Sequence, residues 1–233
     1  MDTPPAEKPH KCLDLLVAAF VASLLVTGTV ASKIFAPLGG LIFNGGALFI
    51  PINYILGGIL TEVYGYARAR RVIWAGFAAA AFMSLSYWLV GRIPPSPTWP
   101  LQAAYDSILG VVPRIVAASL TAYFLGEFTN SFVLAKMKIL TRGRYLWTRT
   151  VGAALAGQAM DTVVFIVFAF YGTQSLKVLA IISLSIYFLK IAIEIAALPV
   201  VYNLVNFLKR KEGEDYFDTD TNFNPFAFHR GNR

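Results

Sequence analysis

Long apolar stretches separated by short polar loops make up most of this chain. A membrane-spanning helix needs about 20 apolar residues, and six stretches reach that length. We predict spans at residues 13–32, 41–60, 72–90, 115–135, 151–171 and 178–207. The pattern predicts an all-α polytopic membrane protein, with a transmembrane domain at residues 13–207 between terminal tails at 1–12 and 208–233.

The composition supports a membrane protein and excludes an ordinary soluble domain. Hydrophobic residues make up 57% of the chain and charged residues only 14%, and the mean hydropathy is +0.60. Soluble domains carry about 25% charged residues. A cleavable signal peptide is the alternative for the first span, but five further spans favour an uncleaved helix.

Basic residues occur in every second loop, which predicts the orientation. Fifteen Lys and Arg residues fall on the side of the two tails, and four fall on the other side: Lys33, Arg92, Arg114 and Lys177. Positive charge is retained in the cytoplasm, so both termini are expected there. A nucleic-acid binder would instead gather its basic residues on one soluble surface. We therefore expect no nucleic-acid partner.

Polar side chains lie deep inside three of the predicted spans. They form pairs three or four residues apart, and each pair shares one helix face: Glu127 with Asn130, Gln158 with Asp161, and Lys190 with Glu194. A helical rise of about 1.5 Å per residue puts Glu127, Asp161 and Lys190 roughly 15–18 Å from a span end. Ionisable groups at such depth are costly and mark substrate or ion sites.

Structural alternatives exist for several of these residues. Lys190 and Glu194 could neutralise each other on one helix, and Asn130 and Gln158 could join helices by hydrogen bonds. Glu127 and Asp161 have no cation nearby in sequence, so we expect them to be the anchoring acceptors of a central pocket.

The second span contains further candidates. Asn53 lies in a stretch where Gly residues and Pro51 weaken regular helix, and interrupted helices line cavities in transporters. An ordinary kink at Pro51 is the alternative. Glu62, at the inner end of this span, is expected to belong to an inner gate or to pair with Arg68 or Arg70.

A weak internal repeat suggests three related helical hairpins around a shared centre. Tyr-x-Leu-containing tetrads begin at Tyr54, Tyr123 and Tyr187 in the second, fourth and sixth spans. Seven residues after each Tyr come Thr61, Asn130 and Glu194, so the spacing is the same in all three spans.

Enzymatic motifs are not found. The chain contains no G-x-S-x-G elbow, no H-E-x-x-H helix and no Walker loop, and its two histidines, His10 and His229, lie in the tails. We expect neither an enzyme nor a metal or other cofactor.

The segment YILGGILTEVYGYARARRVIW at residues 54–74 contains a T-E-V-Y-G-Y block followed by a basic run. It resembles the signature of the queuosine precursor transporter family, also called the vitamin uptake transporter family. The likeness continues through LGEFTNSFVLAKMKILTRGRYLWTRT (125–150), GQAMDTVVF (157–165) and DYFDTDTNFNPF (215–226), and so covers nearly the whole chain.

The resemblance implies a six-helix inner-membrane protein that takes up a 7-deazaguanine precursor of queuosine, such as the cyano or aminomethyl form. Residues that match the family's polar pattern are Glu62, Glu127, Asn130, Lys136, Trp147, Arg149, Gln158, Asp161 and Lys190. The chain departs from that pattern at Gly58 and Gly28, where family members commonly carry Asp and Asn.

The chemistry of the candidate residues suits such a ligand. A guanine-like edge offers two adjacent N–H donors that one carboxylate can accept, and Phe124, Phe128, Phe165 or Tyr187 could stack on the ring. The candidate substrate-binding residues are Glu127, Asn130, Gln158, Asp161, Lys190, Glu194, Asn53 and Glu62.

Two other functions compete with a self-sufficient transporter. The first is a substrate-binding membrane subunit that depends on a separate ATPase module, and the second is a structural membrane protein. The expected partners are a 7-deazapurine and the lipid bilayer, and a second copy of the chain is a further candidate.

Overall fold

The computed structural model describes residues 11–30, 32–35, 43–110, 113–170, 176–213, 215–219 and 221–226. In chain order its elements are α1 (Leu13–Val30), β1 (Ile34–Phe35), β2 (Phe43–Asn44), α2 (Gly46–Tyr64), α3 (Tyr66–Gly91), α4 (Gln102–Ile108), α5 (Pro113–Leu140), α6 (Leu146–Phe170) and α7 (Leu176–Glu212). The two strands form an antiparallel pair. The all-α class is confirmed, apart from this two-residue ladder.

Each predicted span overlaps one long helix. Within the described residues, α1, α3 and the Ile186–Glu212 part of α7 are long and apolar enough to cross a membrane, whereas α2 contributes the shorter apolar segment Leu48–Tyr64. The number of six spans therefore stays a prediction. Residues 31, 41–42 and 171 of the predicted spans, and residues 1–10, 214, 220 and 227–233 of the predicted tails, lie outside the described residues.

The second predicted span begins too early in the sequence. Residues 43 and 44 form β2, which pairs with β1, and the helix begins only at Gly46. The expected interruption of this span is also wrong, because α2 continues from Gly46 to Tyr64 with Pro51 inside it.

The two ends of the described chain meet on one face of the bundle. The backbone N–H groups of Lys11 and Cys12 donate to the carboxylate of Glu212 at 2.9 and 2.6 Å. We call this the terminal face. It also carries the α2–α3 corner at Gly65 and the α5–α6 turn, residues 141–145.

Large apolar side chains are exposed in this bundle and several polar ones are buried, which is the reverse of the pattern in a soluble protein. Phe82, Phe188 and Val200 expose 73%, 64% and 66% of their surface, whereas Glu127 and Gln158 expose none. A bilayer accepts apolar side chains on the outside and requires polar groups to be enclosed by protein. The arrangement is the one expected of a membrane protein.

Residues 215–219 and 221–226 form a strap across the terminal face, which we call the C-terminal strap. Both carboxylate oxygens of Asp218 accept the backbone N–H of Tyr66, at 3.1 and 3.0 Å, at the start of α3. Arg70 donates to the carbonyls of Asn222 and Asn224, and Trp74 donates to that of Pro225. The strap is therefore folded against the bundle in its described part.

Asp218 satisfies a backbone donor that the helix itself cannot, because the first N–H groups of a helix have no intrahelical acceptor. Burial raises the pKa of this carboxyl, and hydrogen bonds from Thr221 and Tyr66 oppose that rise. The carboxylate also complements the positive end of the α3 dipole.

We predict that Asp218→Ala loosens the strap, because a side-chain cap on a helix N-terminus contributes about 1 kcal/mol. The variant should show a lower Tm in detergent and faster proteolysis within residues 215–226. Asp218→Asn keeps an acceptor oxygen and is the matched control, which should fall between the wild type and Asp218→Ala. Unchanged proteolysis of Asp218→Ala would contradict the assigned role of the cap.

Candidate functional site

Helices α5 and α6 approach closely at Gly126 and Gly157. A Cβ atom at Gly126 would lie 3.0 Å from the Gly157 carbonyl oxygen, and one at Gly157 would lie 2.9 Å from that of Gly126. Glycine pairs let two helix backbones come together in this way. The ring of Tyr54 from α2 packs against both, and its hydroxyl donates to the Gly157 carbonyl at 3.4 Å. This crossing brings the polar faces of α5 and α6 to one place.

Glu127 lies beside this crossing and is fully buried. Among the described residues, neither of its carboxylate oxygens accepts a hydrogen bond of good geometry, although Asn130 interacts with it one turn along α5. Glu194 and Asp161 act on it electrostatically from α7 and α6. Its carboxylate occupies the space beside Gly57 of α2.

Three further side chains share this environment. Gln158 is fully buried, and both ends of its amide lack a hydrogen bond in the described part of the chain, as do the amide nitrogen of Asn130 and one oxygen of Glu194. Gln158 interacts with Glu194 across α6 and α7. We call Glu127, Asn130, Gln158 and Glu194 the central cluster. The structure thus brings together residues from all three predicted polar pairs.

The sequence predicts that Asp161 has no cation nearby, but the structure gives it one. Its carboxylate accepts a hydrogen bond from the Lys190 ammonium at 2.8 Å, and both side chains are nearly buried. The ion pair joins α6 to α7. The direct ion pair of Lys190 is therefore with Asp161 on the neighbouring helix, while its effect on Glu194 is electrostatic only.

A cavity connects the central cluster to the terminal face. It is narrow, with room for about one water molecule. Asn130 and Glu194 line one part of it and Glu62 another, with Tyr54, Gly58 and Thr150 among the other lining residues. Glu127, Gln158, Asp161 and Lys190 lie outside its lining. The cavity therefore reaches the near side of the cluster only.

Glu62 is the centre of an ionic network that joins four helices. Arg149 of α6 donates to both of its carboxylate oxygens, at 2.8 and 2.7 Å, and Lys209 of α7 donates at 2.6 Å. The ammonium of Lys138 on α5 lies 3.5 Å away. The network also includes Asp215 of the strap, which bonds Lys138 at 2.6 Å and Lys209 at 2.9 Å.

We call Glu62, Arg149, Lys209, Lys138 and Asp215 the Glu62 network. The contacts of Glu62 correct one expectation. Glu62 does not pair with Arg68 or Arg70, because Arg68 donates to the Tyr64 carbonyl and Arg70 to the strap. Burial works against ionisation of Asp215, but hydrogen bonds from Lys138 and Lys209 outweigh it and lower the pKa of that carboxyl.

The other candidate residues lie away from the cavity. The amide of Asn53 donates to the Thr27 hydroxyl at 2.9 Å and so joins α2 to α1. Phe124 packs edge-on against both Phe128 and Trp74, and the rings of Phe128 and of Phe226 in the strap are tilted against Trp74. They do not line the cavity, and the only aromatic residue in its described lining is Tyr54.

Lys136 and Trp147 are two further residues that match the family's polar pattern. The Lys136 ammonium lies 4.2 Å from the ring centre of Phe223, and Trp147 is half exposed. Sequence reasoning missed Tyr54, Gly57, Lys138, Lys209 and Asp215 as parts of these sites. The only signal was the position of four of them in the quoted motifs, and Lys209 lies outside those motifs. Each gains its role from a contact with another helix or the strap.

Gly57 provides a test of this geometry. We predict that Gly57→Ala lowers the Tm in detergent, because the new methyl group would overlap the Glu127 carboxylate and overpacking costs about 1–3 kcal/mol. Gly58→Ala is the matched control, since its methyl group would meet only Leu134 at 3.7 Å. In a Glu127→Ala background the effect of Gly57→Ala should disappear. Equal effects in both backgrounds would show that the two residues do not touch.

Comparisons with known proteins identify the family of this chain. Residues 44–204 match the family described as "Putative vitamin uptake transporter". A "Probable queuosine precursor transporter" of Bacillus subtilis (strain 168) is 29% identical over 187 residues, which is 79% of each chain. A "Queuosine precursor transporter" of Escherichia coli (strain K12) is 25% identical over 126 residues, 54% of each chain. No solved structure matches.

The family match covers well over half of the chain and includes every residue of the central cluster. Its members are transporters and not enzymes, and the apolar helices fit a multi-pass membrane protein. The protein therefore belongs to the vitamin uptake transporter family.

Proposed function

We propose that the chain is a six-span transporter of the inner, cytoplasmic membrane that imports a 7-deazaguanine precursor of queuosine. Both relatives are named for a queuosine precursor. The terminal face, which carries Arg70, Lys138, Arg149 and Lys209, is proposed to be cytoplasmic, since basic residues are retained on that side.

The observation that carries this proposal is the unsatisfied polar chemistry of the central cluster. A buried acceptor without a donor costs about 1–3 kcal/mol, so a ligand that supplies donors is favoured there. The edge of a guanine-like ring presents two neighbouring N–H donors, which the two oxygens of Glu127 can accept side by side. The Gln158 and Asn130 amides can then donate to the ring carbonyl.

The cavity of this conformation stops short of Glu127, so binding requires the wall formed by Tyr54 and Asn130 to move. Transport proteins expose one site alternately to the two faces by rocking helices against each other. The Asp161–Lys190 pair, which joins α6 to α7, is proposed to hold this wall. Asp161 is accordingly assigned to support the site, and Glu127 remains the anchoring acceptor.

The Glu62 network is proposed to be the inner gate in its closed form. It joins α2, α5, α6 and α7 beside the part of the cavity nearest the terminal face. Asp215 brings the strap into the same network. Opening the cavity to the cytoplasm would require these helix ends to separate, so the strap has to release its two lysines.

We expect Glu127→Gln to lower the affinity for a 7-deazaguanine about ten- to a hundredfold, because a bidentate contact to a base edge contributes about 1–3 kcal/mol. The measurement is uptake of labelled precursor into proteoliposomes that contain this chain alone and no ATP. Asp106→Asn on α4 removes an exposed carboxylate from the opposite face and is the control. Wild-type uptake by Glu127→Gln would refute this role, and uptake that requires an added ATPase would favour the subunit alternative.

For the gate we expect Asp215→Asn to make the cavity more accessible from the terminal face, because Lys138 and Lys209 lose the carboxylate between them. A cysteine at Leu134, on the cavity wall, reports this in a Cys12→Ser background. It should react faster with a membrane-impermeant maleimide. Thr219→Ala, in the same strap but outside the ion pairs, should leave the rate unchanged. Equal rates in Asp215→Asn and the parent would rule out the strap as part of the gate.

A further inference from the structure

The region of the central cluster and Asp161 contains more carboxyl groups than cations in the described part of the chain. Glu127, Asp161 and Glu194 are all buried in this region, at 0%, 7% and 3% exposure, and Lys190 is the only ammonium that reaches them in the described part of the chain. That ammonium is bonded to Asp161 at 2.8 Å. Glu127 and Glu194 are thus left without a salt-bridge partner among the described residues.

Glu62 is a buried carboxylate whose cations all come from the chain itself. Glu62, buried to a similar degree, is surrounded by Arg149, Lys209 and Lys138, with nitrogen-to-oxygen distances of 2.7, 2.6 and 3.5 Å. A buried charge that is left without a partner destabilises the folded protein strongly. The lack of a similar partner for Glu194, on the wall of a cavity, suggests that the partner arrives with the ligand.

The spacing of the acidic groups favours an organic cation. The described residues contain no set of three or more His, Cys, Asp and Glu side chains placed to hold one metal ion. Glu127 and Glu194 approach instead from different helices, α5 and α7, and Glu194 lines the cavity while Glu127 lies behind that lining. Two separated acceptors suit a ligand with hydrogen-bond donors at one end and a positive charge at the other.

We infer that this transporter selects a 7-deazaguanine that carries an ammonium group, and that Glu194 binds that group. The inference rests on the proposed function, in which Glu127 accepts the N–H groups of the ring edge. An aminomethyl substituent is a primary amine and is protonated at neutral pH, as the Lys side chain is with its pKa of about 10.4. A cyano substituent is neutral and offers only an acceptor, so it would leave Glu194 without a counter-charge.

Selectivity for the charged form has a physical basis in the low polarity of the site. Two opposite charges attract each other more strongly in a buried site than in water, because the effective dielectric constant is lower there. Part of this attraction is lost to removing the ammonium from water. A preference of about tenfold or more for the charged form is a conservative expectation.

The test compares three ligands on purified wild-type protein in proteoliposomes. They are the aminomethyl form, the cyano form and the hydroxymethyl analogue, which matches the aminomethyl group in size but is neutral. Competition against labelled aminomethyl-7-deazaguanine should rank the aminomethyl form about tenfold or more above both neutral compounds. Equal affinities, or a higher affinity for the cyano form, would overturn the inference.

The role of Glu194 is tested by the same ratio in two variants. Glu194→Gln should reduce the preference for the aminomethyl form over the hydroxymethyl analogue by about tenfold, whereas Glu194→Asp, which keeps the charge, should retain most of it. An unchanged ratio in Glu194→Gln would overturn the assignment. If the wild type transports none of the three compounds, the proposed function itself fails. Transport without charge discrimination defeats only the inference.

Discussion

A carboxylate enclosed by apolar helices needs a hydrogen-bond donor or a cation, and the described part of the bundle supplies these at some carboxylates and not at others. At Glu62 every requirement is met from within the chain, by a bidentate arginine and two lysines from three other helices. At Glu127 and Glu194 it is left open. Glu62 and Glu194 line the same cavity, so the difference lies in which groups the neighbouring helices bring to each carboxylate.

The close approach of α5 and α6 is what brings the open carboxylates together. Gly126 and Gly157 allow the two backbones to come within reach of each other, and Tyr54 from α2 fills the remaining space. Larger residues would separate the helices and move Gln158 away from Glu127. Packing at a few small residues thus determines the chemistry several ångströms away.

The C-terminal strap extends the ionic network beyond the helices. Its aspartates perform separate tasks: Asp218 caps α3, and Asp215 lies between Lys138 and Lys209. Its aromatic residues Phe223 and Phe226 pack on rings of α3 and α5. A segment that is polar in sequence is therefore an integral part of the terminal face.

Hydropathy and charge alone determined the helical class, the approximate positions of the six long helices and the gathering of basic residues on one face, because these follow from local composition and helical period. They also identified the deep polar residues, since burial of such groups is costly wherever the helices pack. The tertiary structure decided which groups meet. Lys190 forms its ion pair with Asp161 and not with Glu194, and Glu62 pairs with Arg149 and not with Arg68 or Arg70. A long charged side chain bonds the opposite charge that the neighbouring helix presents, and the spacing of residues in the sequence does not show which helix that is.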